Sequence, residues 1–150
     1  MNNELVTQHN EKLLNSIYKN AQMALSAIKD IISAITDANL RELILKQKGV
    51  YEDVSGTCES ISKKYNLELK DLNMFLKATS FVSIKTKAIM NKTTSNHAEM
   101  LIQGTTMGIT DIITETSNNS LADHSIIALA NKIRNSEEVF VESLKGFLKK

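Results

Sequence analysis

Two polar side chains, Gln47 and Glu137, interrupt otherwise apolar helical stripes, and a histidine, His97, stands at the start of a third helical stretch. A carboxylate, an amide and an imidazole facing one another could hold a divalent metal, a water network or a small polar ligand. A di-iron bundle demands more: a Glu from each of two helices and a Glu-x-x-His pair from each of the other two. No Glu in this chain is followed three positions later by His, and the three histidines, His9, His97 and His124, fall in the N-terminal region or at helix starts. Ferroxidase and peroxidase chemistry are therefore not expected, and no catalytic residue is assigned. The only cofactor this set suggests is a weakly bound divalent metal; otherwise none is implied.

Each of these residues also has a plainer role. A seam glutamate more often tilts to the helix edge, with its stem covered and its carboxylate wet, because an unpaired buried carboxylate is costly. Gln47 can bond across the bundle, and His97 beside a cap is commonly a surface residue. Gly104 and Gly108 form a small-xxx-small pair inside a helical stretch, where each glycine costs about 1 kcal/mol relative to Ala. Close approach of another backbone would offset that cost, first from a helix of the same chain and second from another subunit. Cys58 lies in an apolar seam with no neighbouring base, so it reads as a small hydrophobe. Met74, Met90, Met100 and Met107 suit irregular gaps. Lys77, Lys85, Lys87 and Lys92 make a modest basic stripe of the kind that is usually solvated. Phosphate loops, paired-cysteine metal spacings and Gly-x-Ser-x-Gly elbows do not occur.

Composition narrows the classes further. Eighteen basic and seventeen acidic residues leave a formal charge of +1, which gives no electrostatic footprint for nucleic acid. Of 150 residues 42% are hydrophobic, enough for a core, while proline is absent and glycine appears five times, too few turn formers for a protein of many short strands. One cysteine cannot form an internal disulfide, so a cytoplasmic location is expected. The opening residues lack a basic run before an apolar stretch, and no segment reaches the ~18 uninterrupted apolar residues of a membrane span.

Four long amphipathic helices position the candidate residues. Leu14, Ile17, Ala21, Ala24, Ile28, Ile31 and Ile35 alternate spacings of three and four, widened by Tyr18, Leu25 and Ile32, and the helix should end near Thr36. Residues 1–12 are expected as a partly flexible tail. Asp37 can cap a second helix with a seam at Leu40, Leu43, Gln47, Val50, Val54, Cys58, Ile61 and Tyr65, flanked by Ile44 and Tyr51 and stopped at Asn66. Ala98, Leu101, Thr105, Gly108 and Ile112 give a third helix, with Asn96 and Glu99 as a capping box. Ser120 and Asp123 cap a fourth along Ile126, Ala130, Ile133, Glu137, Phe140, Leu144 and Phe147.

Short links make two antiparallel hairpins, helix 1 with 2 and helix 3 with 4. Between them Met74, Phe75, Ala78, Phe81, Val82 and Ile89 predict a further helical segment, which the polar run 91–96 ends. Some twenty helical residues span about 30 Å, comparable to a bundle's height. Such a crossover lets helices 2 and 3 run parallel. The expected fold is thus all-α, a single domain over residues 1–150, arranged as a ferritin-like four-helix bundle with a helical crossover between helices 2 and 3. The alternative is an up-down-up-down bundle with the extra helix packed outside. In the crossover arrangement Gln47, Glu137 and the helix 3 start with His97 fall at similar heights, which defines the candidate polar cavity.

The stretch Ala98-Glu99-Met100-Leu101-Ile102-Gln103-Gly104-Thr105-Thr106-Met107-Gly108-Ile109, preceded by Asn91-Lys92-Thr93-Thr94-Ser95, resembles small bacterial proteins of the ferritin-like four-helix-bundle superfamily. Ile17-Tyr18-Lys19-Asn20-Ala21-Gln22-Met23-Ala24 is similar to their first helix, and the likeness spans roughly residues 14–148. The resemblance implies the bundle fold and supplies no activity. Function is therefore expected to be non-catalytic: a bundle acting by self-association as a homo-oligomer or by binding a protein partner, without nucleic acid or a membrane span. The alternative is a metal- or ligand-binding bundle using Gln47, His97 and Glu137.

Overall fold

The computed structural model describes residues 3–71, 73 and 92–149. Four long helices account for most of them: α1 (Asn3–Ile31), α2 (Ala38–Tyr65), α3 (Thr94–Asn118) and α4 (His124–Lys145), and they pack against one another. The expected helical crossover, with Met74, Met90 and the lysines at 77, 85 and 87, lies outside the described residues.

Local chemistry sets most of the boundaries. A 3-10 turn at Ile32–Ala34 closes α1, and the Asp37 carboxylate then accepts the free Leu40 N–H at 2.9 Å to open α2. Asn66 ends α2 in the left-handed region (φ 52°, ψ 50°), and the Leu67 N–H returns to the Ser62 carbonyl at 2.8 Å. The Thr93 hydroxyl accepts from the Asn96 N–H at 3.2 Å, so α3 begins at Thr94. The Asn96–Glu99 capping box is thereby displaced, because Thr93 captures the orphan donors one turn earlier. Asp123 caps α4 by accepting from the Ser125 N–H at 3.0 Å. Those Ser125 donors hold the Asp123 carboxyl below the usual carboxylate range.

Residues 3–12 are not a tail. They form the first turns of α1, and the chemistry of His9 and Asn10 explains why. Nδ1 of His9 accepts the Leu121 N–H at 3.1 Å, and Oδ1 of Asn10 accepts the Asp123 N–H at 2.6 Å. The exposed backbone of the α3–α4 turn thus needs those turns of α1 for its hydrogen bonds.

Cross-helix contacts fix the directions. Tyr18 donates to Glu59 at 3.3 Å and Gln22 to Ser55 at 3.0 Å, so α1 and α2 are antiparallel. Asn20 meets Gly108 while Asn10 meets Asp123, so α1 and α3 are antiparallel as well. Helices α2 and α3 consequently run the same way. Glu68 and Lys70, just after α2, are bonded to Glu11 and Asn15 on the early turns of α1. Ser95, at the start of α3, accepts the Lys149 N–H at 2.9 Å at the other end. The chain therefore leaves α2 at one end of the bundle and enters α3 at the opposite end.

The core between the helices contains Leu13, Leu14, Ile17, Leu40, Ile44, Tyr51, Val54, Ile112, Ile126, Ile133 and Leu144. Each fully buried Leu or Ile contributes roughly 1.5–3 kcal/mol relative to exposure. Of the expected α2 seam Leu40, Gln47, Val54 and Cys58 are buried, but the deepest line runs toward the flank that carries Ile44 and Tyr51. Ile44, Tyr51 and Cys58 face the centre, while Leu43, Val50 and Ile61 are half-buried on a flank. The centre of a four-helix assembly lies between two neighbours, so its deepest line bisects the apolar stripe.

Candidate functional site

One polar layer crosses the middle of this core and draws on all four helices. Helix α4 carries Glu137 in phase with Ile133, Phe140 and Leu144, which directs its carboxyl inward, and the residue is 1% exposed. Helix α1 supplies Asn20, whose Nδ2 donates to Oε1 of Glu137 at 2.9 Å and to the Gly108 carbonyl at 3.2 Å. Helix α2 supplies Tyr51, whose hydroxyl donates to Oε2 of Glu137 at 2.9 Å. Helix α3 contributes backbone and close approach at Gly108. A Cβ there would lie 2.9 Å from Oδ1 of Asn20 and 3.1 Å from Oε2 of Glu137.

Gln47 borders the same layer. Its Nε2 donates to the Ser136 hydroxyl at 3.4 Å, and that hydroxyl donates to the Ile133 carbonyl at 2.8 Å. Gln47 and Thr105 also direct polar groups at the Tyr51 hydroxyl. Gln22 and Ser55 extend the layer between α1 and α2. Among the described residues, no buried side-chain nitrogen or oxygen lacks a hydrogen-bond partner.

Burial dominates the electrostatics. It pushes the Glu137 carboxyl up to about 7, although the Tyr51 and Asn20 hydrogen bonds pull the other way. The Tyr51 hydroxyl is raised far above its ordinary range, first by burial and then by the facing Glu137, so Tyr51 stays a neutral donor. Burial likewise pushes the Cys58 thiol up to about 12.

His97 does not share this layer. It is 3% exposed, in the first turn of α3, about eleven residues before Gly108 and hence about 16 Å away along the helix axis. The expected common height placed the start of α3 at mid-bundle, whereas Ser95 and Lys149 put it at an end. Gln47 and Glu137 are brought together through Tyr51. The two glycines separate as well. Gly108 sits in the tight contact, while Gly104 is exposed with no atom of a described residue within 4 Å of its Cβ position.

Two members of the layer, Asn20 and Tyr51, were not among the expected site residues, and Tyr51 was expected only on the flank of the α2 stripe. Tyr51 carried a signal, since Ile44, Tyr51 and Cys58 repeat at heptad spacing. Asn20 stands beside Lys19 in a polar stretch and carried none. Among the described residues, no group of three or more His, Cys, Asp or Glu side chains comes together as a metal cage. The layer can bind and release a proton at Glu137, and it can tie four helices into one register.

No family model, curated protein or solved structure matches this chain. The described helices include none long and apolar enough to cross a membrane.

Proposed function

We propose that this chain is a ferritin-like, non-catalytic helical bundle of the bacterial cytoplasm that works by associating with a second copy of itself. The parallel course of α2 and α3 supports the ferritin-like reading, since it is the order a single long connection produces. Cys58, buried and unpaired as a thiol, suits a reducing compartment.

The observation that carries the functional reading is the outward face of α3. No described residue comes within 4 Å of the Cβ position of Gly104, and Met107, one turn on, is 69% exposed. A helical glycine costs about 1 kcal/mol relative to Ala, and backbone approach from another subunit would offset that cost where no described residue of this chain does so. The thioether of Met107 is suited to an adaptable contact. The polar atoms of the mid-bundle layer, by contrast, are engaged with one another.

Light scattering on the full chain at low micromolar concentration tests this reading, together with Met107→Asp. An oligomer that Met107→Asp dissociates supports it. A strict monomer contradicts self-association and leaves a different protein as the occupant of that face.

A further inference from the structure

Glu137 is a carboxyl enclosed by four helices, with no cation facing it among the described residues. The groups facing it are Asn20 from α1, Tyr51 from α2 and Gly108 from α3, with Gln47 and Thr105 behind the tyrosine hydroxyl. Tyr51 alone among these is titratable, and no charged side chain of a described residue acts on Glu137. A buried ion pair would lock the carboxylate in its charged form, whereas neutral donors can serve either form. Hydrogen bonds through hydroxyls and amides are directional and reversible, because Tyr, Thr and the Gln carbonyl can each accept.

The geometry points to Glu137 as a two-state proton site, in which one proton taken from solvent onto Oε2 reverses the Tyr51 hydroxyl and tightens the bundle. In the charged state Tyr51 donates to Oε2 and Asn20 donates to Oε1. In the neutral state the new O–H of Glu137 donates to the Tyr51 oxygen, and the Tyr51 hydrogen turns to Thr105 or to the carbonyl of Gln47. Asn20 keeps its bond to Oε1. No bond between heavy atoms changes and the protein gains one proton. The desolvated charge at the centre disappears, so the neutral form packs with less electrostatic penalty. The device sits at the close contact of α1, α3 and α4 around Gly108, so its state is felt by three helices together. It is independent of whether the outer face of α3 binds a second copy.

Urea unfolding of the full chain between about pH 5 and about pH 8.5 tests the proposal with wild type, Glu137→Gln and Tyr51→Phe. The wild-type midpoint should fall by about 1 to 2 M across that range. Glu137→Gln imitates the neutral form, donating to Tyr51 through its amide, and should flatten the fall. Tyr51→Phe removes a donor to the charged form and should move the fall to higher pH. Parallel profiles for wild type and Glu137→Gln overturn the proposal. If Glu137→Gln does not fold, an unmoved step in Tyr51→Phe overturns it instead.

Discussion

The Tyr51 hydroxyl donates to Oε2 of Glu137 at 2.9 Å, linking α2 to α4 across 86 positions of sequence at a depth where each residue is 1% exposed. A hydrogen bond to a buried carboxylate contributes more than a neutral one, because loss of the donor leaves a desolvated charge short of a partner. Tyr51→Phe should therefore lower unfolding stability by about 2 kcal/mol near pH 8, and by less at pH 5, where the carboxyl is neutral. Denaturant midpoints at the two pH values check this. An equal loss at both would mean that the hydroxyl acts without reference to the charge.

The two glycines of α3 should respond in opposite directions. Gly104→Ala adds a methyl that no described residue meets and should stabilise the isolated chain by about 0.5–1 kcal/mol through helix propensity. Gly108→Ala meets Asn20 and Glu137 atoms at 2.9–3.1 Å, and their mutual hydrogen bonds keep them from moving aside freely. It should therefore destabilise despite the same propensity gain. Thermal unfolding of both variants checks the sign of each change, and stabilisation by Gly108→Ala would contradict the tight contact.

Glu137 also sets the sign of the pH dependence. The ordinary value is 4.5 and the folded value about 7. Between them the folded state holds a proton that the unfolded chain has released, so stability falls as pH rises. This contribution is complete below the unfolded value and is lost as pH rises through about 7, a difference on the order of 3 kcal/mol. Asp123 acts oppositely at lower pH, since its depressed carboxyl contributes stability that disappears as acid protonates it. Thermal scans across pH should consequently show maximum stability on the acid side of neutrality. A maximum above pH ~8 would be incompatible with a desolvated Glu137.

Helix periodicity identified α1 to α4 because each buries a continuous stripe, and the Asp37 cap and Asn66 stop follow from backbone chemistry that acts locally. Glu137 and Gln47 stood out as polar residues in apolar phase, and both are buried. Tyr51 was legible only as the edge of a stripe, because the phase that decides which residue faces the centre depends on two neighbours, not on α2 alone. Asn20 and the closing role of His9 and Asn10 were illegible. Their partners lie about 90 to 117 residues away, and a single sequence records no distance between them. His97 was set at the wrong height because the start of α3 was assigned to mid-bundle, whereas Ser95 and Lys149 put it at an end, with His97 eleven helical residues from Gly108.

Cys58 offers an independent probe of the same core. It is 0% exposed, and burial pushes its thiol up to about 12, so little thiolate is present near neutrality. Alkylation of the native chain at pH 7.5 should be slowed by about 100-fold or more relative to the urea-unfolded chain, following the opening equilibrium of the bundle. Mass spectrometry of timed quenches measures it. Comparable rates in the two states would place Cys58 at an accessible surface.

The most direct measurement is the carbon-13 NMR titration of the Glu137 side-chain carboxyl in the full folded chain, assigned by comparison with Glu137→Gln. A carboxyl enclosed by α1 to α4 and held only by neutral donors should titrate near 7. A midpoint near the ordinary 4.5 would mean that the carboxyl meets solvent or a cation, and would contradict the polar layer on which the account stands.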